Sequence, residues 1–407
     1  MSTAEAAPTA GRTFPFEGSS HKGPSPIFRR LRAEAPVTRV AMAGGGHAWL
    51  VTRHADIRRV LGDERFSRSA CYAPGAPAFE GLFQAPPGMI ISLDPPEHTR
   101  LRGLAMRAFS TARIEAIRPR IRELVTELLG PLAECSPADL MSGFAAPLAI
   151  AVIGELLGVP ATERPRFAGW IRRFADVRGP EAEAVEARER LGAYMADLVR
   201  ATQTAPGPGV LSALVTARDG ADRLSTEELI GLGYTLLGAG ADSTASQLAN
   251  FVLVLLADHR DVWRRLGTHP EEVPTAVEEL LRMVNLNADD TSGLPRIATV
   301  DVTIGGVTVP AGDAVFLAFP SANRDESIFP DADRPCFDRT PNPHLAFGYG
   351  AHRCLGAQLA RLEIAVALEE LTRTYPDARL AASEADLRWE VGDVNHRLAA
   401  LPVLLAG

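Results

Sequence analysis

The stretch Phe347-Gly348-Tyr349-Gly350-Ala351-His352-Arg353-Cys354-Leu355-Gly356 sets one cysteine in a glycine-hinged loop directly ahead of a predicted helix at 354–374. Gly348 and Gly350 allow a turn tight enough to aim backbone N–H groups at the sulfur. The positive end of a helix beginning at the cysteine would hold that sulfur as a thiolate. Phe347 would pack on the same loop and keep water from it, and Gly356 would let the helix lie close to a flat group. A buried structural cysteine is the ordinary fate of a free thiol, but that fate asks for none of these hinges.

Composition bounds what surrounds this loop. The chain has 407 residues, 46% hydrophobic and 23% charged, with no linker-like stretch between cores, so one large, mainly helical domain is the simplest reading. A net charge of −8 argues against a nucleic-acid partner, which needs a basic face. The four cysteines, Cys71, Cys135, Cys336 and Cys354, show no zinc-site spacing and fit a reducing cytoplasm. Residues 1–18, rich in Ala, Thr, Pro and Gly, are expected to be disordered, leaving a single domain over 19–407. They lack the basic start and apolar run of a signal peptide or anchor. The most apolar window, from Phe144 to Pro160, is broken by Pro147 and Glu155 and too short to span a bilayer. No membrane role is expected.

Periodicity predicts helices near 97–110, 113–129, 140–158, 161–176, 181–203, 210–218, 226–257, 259–267 and 274–285, besides the one after the loop. Ser225 with Glu228 forms a capping box at the start of the longest. Strands are expected at 37–42, 48–52, 296–303, 306–309 and 314–318. A proline- and glycine-punctuated loop from Cys71 to Pro96 carries Ile90 and Ile91 near its end, as binding loops do.

A thiolate so presented suits a haem iron as axial ligand, and the stretch resembles the haem-binding signature of cytochromes P450, with every fixed position filled. The resemblance runs from the strands after residue 36 to Leu401-Pro402-Val403. It implies the P450 fold, mainly α with small β-sheets, with haem b (iron protoporphyrin IX) between the long central helix and the cysteine helix, and Cys354 on the iron. Glu279 and Arg282 alone could be any exposed helical pair. Within the resemblance they match the family's Glu-x-x-Arg motif, whose structural ion pair extends to Arg339. His98, Arg102, Arg296 and His352 match its propionate clamp, and burying the propionates demands such neutralisation.

The long helix carries Ala239-Gly240-Ala241-Asp242-Ser243-Thr244. A mid-helix glycine costs roughly 1 kcal/mol, so Gly240 asks for a reason; close approach to a flat cofactor would supply one. Ser243 can bond the carbonyl of Ala239 and open a groove for dioxygen and water. Asp242 could relay protons. The family usually has threonine after the acid; here Ser243 stands there, with Thr244 next. A mid-helix polar patch with no role in catalysis is the plainer alternative.

The haem domain would consume the chain, so electrons are expected ultimately from NAD(P)H through a ferredoxin reductase and a ferredoxin. Arg100, Arg107, Arg113, Arg353 and Arg361 would form the ferredoxin's basic docking patch. By family position, pocket walls come from Ile90 and Ile91, the segment Phe174 to Glu183, Leu236, Ala239, the segment Asn287 to Leu294, and the turn Val391 to Asn395 including Val394. These suit a neutral, largely apolar small molecule. Ala239-Gly240 with Ser243-Thr244, and Asp289 through Ala298, look like mycocyclosin synthase and other P450s acting on cyclic dipeptides. That favours oxidation of an aromatic diketopiperazine by radical coupling or hydroxylation. The alternatives are regiospecific hydroxylation of a macrolide or terpenoid and, from another class, a non-catalytic haem sensor.

Overall fold

A computed structural model describes residues 13–43, 45–77, 89–175, 180–207, 209–219, 222–287, 295–390 and 394–405. They gather into two compact units, Met1–Glu97 with Glu278–Cys354, and His98–Val277 with Leu355–Gly407.

The first unit is built on a six-stranded mixed sheet. In spatial order its strands are Thr13–Phe14, Val37–Met42, His47–Val51, Ala314–Leu317, Arg296–Ala298 and Phe66–Ser67. Successive side chains of a strand point to opposite faces, and Ala314–Leu317 shows the consequence. Val315 and Leu317 join a core with Val51, Ile57 and Val60. Ala314 and Phe316 join another with Phe14, Phe28 and Leu31. Two short helices, His54–Leu61 and Ile27–Glu34, supply Ile57 and Val60 to the first core and Phe28 and Leu31 to the second. Neither helix was expected, because two turns rich in arginine leave too few apolar positions to establish a period.

Residues 13–18 depart from the expected disorder. Thr13–Phe14 pairs in parallel with Ala41–Met42, and Phe14 is fully buried, edge-on to Phe16 at 5.2 Å. Two aromatic side chains outweigh the small residues around them. The strand expected at 296–303 breaks after Ala298, and Val302–Ile304 instead forms a hairpin with Val307–Val309.

The second unit is helical. Its axis is the helix Thr226–Asp258, capped as expected by reciprocal bonds between Ser225 and Glu228. Apolar side chains surround it, so it is buried on most sides. The other helices lie close to their expected places, with three differences. The segment expected at 113–129 is two helices, Thr111–Ala116 and Arg118–Leu132. The one expected at 140–158 opens with a π-helical turn, Met141–Ala145, before Ala146–Leu157. The helix after the cysteine loop starts at Ala357 rather than at Cys354, with Gly356 as its N-cap.

One residue of that helix is conspicuous energetically. Glu363 is 3% exposed, and its Oε1 has no hydrogen-bond partner. Burial pushes its carboxyl up to about 8. The unfolded chain therefore loses this proton at a lower pH than the folded chain does. Between about 4.5 and about 8 the folded form binds more protons, so stability should fall as pH rises through that window and then level off. Glu363→Gln should flatten this slope, which urea unfolding at pH 5, 6.5 and 8 would measure (values chosen roughly to span the window).

Candidate functional site

The site residues fall on both units. On the first, the loop before the cysteine is tied to itself: Gly348 N donates to Leu345 O at 2.8 Å, Arg353 N to Gly350 O at 3.1 Å, and Cys354 N to Phe347 O at 2.8 Å. Gly348 and Gly350 adopt φ of 69° and 71°, a region that disfavours any side chain. At Gly350 a Cβ would in addition collide with the carbonyl of Leu61. Phe347 is half-buried beside the His344 ring, His352 closes a 3-10 turn, and Cys354 is exposed and in no disulfide.

Behind this loop lies a buried ionic network. Arg282 grips Glu279 with both arms, Nη2 to Oε1 at 2.6 Å and Nε to Oε2 at 2.9 Å. Arg339 Nε reaches Oε2 at 3.3 Å, as expected. Two further donors were not expected: the backbone N–H of Cys336 at 2.7 Å and Asn342 Nδ2 at 3.0 Å. Burial works to raise the Glu279 carboxyl, but the bonds and charge of Arg282 outweigh it and hold the group below the ordinary carboxylate range. Arg282 spends its remaining arm on the carbonyls of Asn323 and Ala332.

Arg296, expected to bind a propionate, is 6% exposed. Burial, reinforced by the charge of Arg68, pulls its guanidinium down to about 9. Arg68 is itself buried, with Nε on the Ile91 carbonyl at 3.0 Å. Two neighbouring buried cations suit an anionic ligand. Ile90 is buried in the 3-10 turn Ile90–Ser92, and Ile91 is half-buried.

On the second unit, His98 is buried on the helix Glu97–Ala108 and Arg102 is half-buried one turn on. In the long helix, Ala239 is exposed and Ser243 Oγ donates to the Ala239 carbonyl at 2.6 Å, as anticipated. Thr244 is buried on another side, so Ser243 is the hydroxyl that shares the accessible face. Leu236 is buried one turn before Ala239. At Gly240 a Cβ would press Ile153 Cδ1 at 3.2 Å, so its absence lets the helix Ala146–Leu157 pack closely. Gly356 has no protein neighbour within 4 Å of where a Cβ would stand.

Asp242 is held by two side chains of the C-terminal segment. Its carboxylate pairs with Arg397 and accepts from Asn395 Nδ2 at 2.9 Å. The C-terminal segment that supplies both is tied to the same helix by Asn250 Nδ2, which donates to the His396 carbonyl at 2.8 Å. Asn395 was expected only as a pocket wall and Arg397 not at all; a contact across 155 residues leaves no local signal. Val394 is half-buried, and Asn287 is half-buried with its N–H on Asn285 Oδ1 at 3.3 Å. Leu294 lies outside the described residues, as do parts of the three expected wall segments. Arg100, expected in a docking patch, pairs with Asp222 and Glu228.

The donor set fits haem. Cys354 offers an accessible thiol, and His98, Arg102, Arg296 and His352 offer cationic or hydrogen-bonding groups for its carboxylates.

Comparison with known proteins agrees. The cytochrome P450 family model matches residues 273–376. The chain is 44% identical to mycinamicin IV hydroxylase/epoxidase of Micromonospora griseorubida, over 97% of this chain and 98% of that one. It is 43% identical to nocardicin C N-oxygenase of Nocardia uniformis subsp. tsuyamanensis, over 97% and 99%. A solved structure of a mutant of the mixed-function P450 MycG with mycinamicin V superposes with a TM-score of 0.90 at 43% identity, covering 97% of this chain and 99% of that one. The chain belongs to the cytochrome P450 family and has its fold. It is an oxidoreductase of the P450 monooxygenase type.

Glu279→Gln leaves the buried Arg282 and the half-buried Arg339 short of their counter-charge and should cost about 3–5 kcal/mol. Chemical denaturation of the variant against the parent checks it, and a loss under about 1 kcal/mol would mean that the network is not what holds this unit.

Proposed function

We propose that this enzyme hydroxylates or epoxidises a macrolide-type secondary metabolite. The observation that carries the reading is the similarity, over nearly the full length of both chains, to a mycinamicin hydroxylase/epoxidase. The small apolar side chains Ile90, Ile91, Leu236 and Ala239 are compatible with a bulky, weakly polar substrate. The relatives thus favour the macrolide alternative, and none of those reported acts by its name on a cyclic dipeptide.

Haem, when bound, supplies the activation of dioxygen. In this reading Cys354 would bind its iron through Sγ, and the ties between Phe347, Gly350 and Cys354 hold that sulfur in place. His98, Arg102, Arg296 and His352 would hold its propionates. Ala239 and Ser243 front the reaction face, and Ser243 keeps its hydroxyl on the backbone, loosening one turn of the helix. Asp242 carries protons inward from solvent, and for this its carboxylate has to leave Arg397. Reducing equivalents come from NAD(P)H through a ferredoxin reductase and a ferredoxin in the cytoplasm. Among the described residues no helix is long and apolar enough to cross a membrane.

Titration of the haem-loaded protein with mycinamicin-type macrolides should displace the iron-bound water and shift the Soret band, and reconstituted turnover should add one oxygen atom. Aromatic cyclodipeptides should do neither. A Soret shift and ring coupling with the cyclodipeptides alone would reverse this assignment. Cys354→Ser should abolish turnover and the red-shifted carbon monoxide band while retaining substrate binding.

The docking patch is tested separately. Arg107→Glu with Arg361→Glu should raise the apparent KM for ferredoxin at least about ten-fold at low salt. An unchanged KM and salt dependence would exclude this surface.

A further inference from the structure

The second unit has an open cavity of about 450 Å³, walled by the helices Ala146–Leu157, Arg164–Ala175 and Thr226–Asp258 and by Arg397. It opens on a different side of the long helix from Ala239 and Ser243. Its wall residues there are Ala241, Asp242 and Ala245. Successive helical residues turn by about 100°, which sets the middle of this trio about 140° from the midpoint between Ala239 and Ser243. The cavity therefore does not front the reaction face.

Its lining combines two chemistries. Ala146, Pro147, Ile150, Ala168, Ile171 and Ala245 make apolar walls. Three arginines, Arg164, Arg172 and Arg397, share the lining with one carboxylate, Asp242. Arg164 is partly matched from outside by Glu155 at 3.0 Å, yet its buried Nε has no hydrogen-bond partner. Arg172 is exposed and has no ion-pair partner among the described residues. Arg397 already holds a carboxylate in this space, that of Asp242. A guanidinium fork that fits one carboxylate fits another.

We infer that this cavity is a second ligand site, for a small amphipathic monocarboxylate whose chain lies on the apolar walls and whose head competes with Asp242 for Arg397. Occupancy would release Asp242, so the site couples an acid metabolite to proton handling. Binding itself does not depend on which substrate the enzyme oxidises.

The probe is octanoate, titrated by calorimetry into haem-loaded protein with an azole bound to the iron, so that the cofactor side contributes nothing. One saturable site is expected. Ala168→Phe, which fills the cavity from a half-exposed wall, and Arg397→Leu should each weaken it at least about ten-fold, and octanol should bind at least about ten-fold more weakly than octanoate. Asp242→Asn removes the competitor and should tighten binding. The carbon monoxide band of each variant reports that it is folded around haem. No saturable heat, an isotherm unaltered by Ala168→Phe, or octanol binding as tightly as octanoate overturns the site. Unchanged or weaker binding by Asp242→Asn overturns the competition.

Discussion

A single buried carboxylate organises the unit that carries the cysteine. Glu279 accepts from five donor atoms, two of them on Arg282 and the others from Cys336, Arg339 and Asn342. The carboxylate oxygens have no alternative in water, since the side chain is fully buried. Every donor that were to leave would strand a charge, so the chain from 336 to 342 is pinned to the helix that bears Glu279. The loop at 347–354 follows directly and inherits that rigidity. A thiolate serves a metal only when its position is held by something other than the metal.

The long helix answers a different constraint. It presents Ala239 and Ser243 on an accessible face and Asp242 toward the cavity. Gly240 gives up a side chain so that Ile153 can approach, and Ser243 adds its own bond to the Ala239 carbonyl. Asp242 is not a loose acid on a wet surface. Arg397 and Asn395 restrain it, and any role in moving protons is tied to how readily that restraint yields. The same arginine also lines the cavity.

The sequence made much of this legible, and the pattern of success is physical. The hinged cysteine loop, the capping box at Ser225 and the bond from Ser243 to Ala239 all involve residues within about ten positions, where stereochemistry acts directly. Glu279, Arg282 and Arg339 were readable because the family motif links them. Short helices at 27–34 and 54–61 were invisible because their stability comes from the sheet faces they cover, and not from their own pattern. The strand at Thr13–Phe14 was hidden in a composition that suggests disorder.

What the sequence determined by itself is the chemistry available: one thiol on a rigid hinge, an acid and a hydroxyl in mid-helix, and cations for an anionic cofactor. Tertiary structure alone decided which groups meet. Arg397 finds Asp242 across 155 residues, Asn342 and Cys336 find Glu279, and Gly240 turns out to serve packing against Ile153. Local propensity acts through neighbouring dihedrals and capping atoms, whereas ion pairs and close helix contacts arise only where folding brings distant segments within a few ångströms.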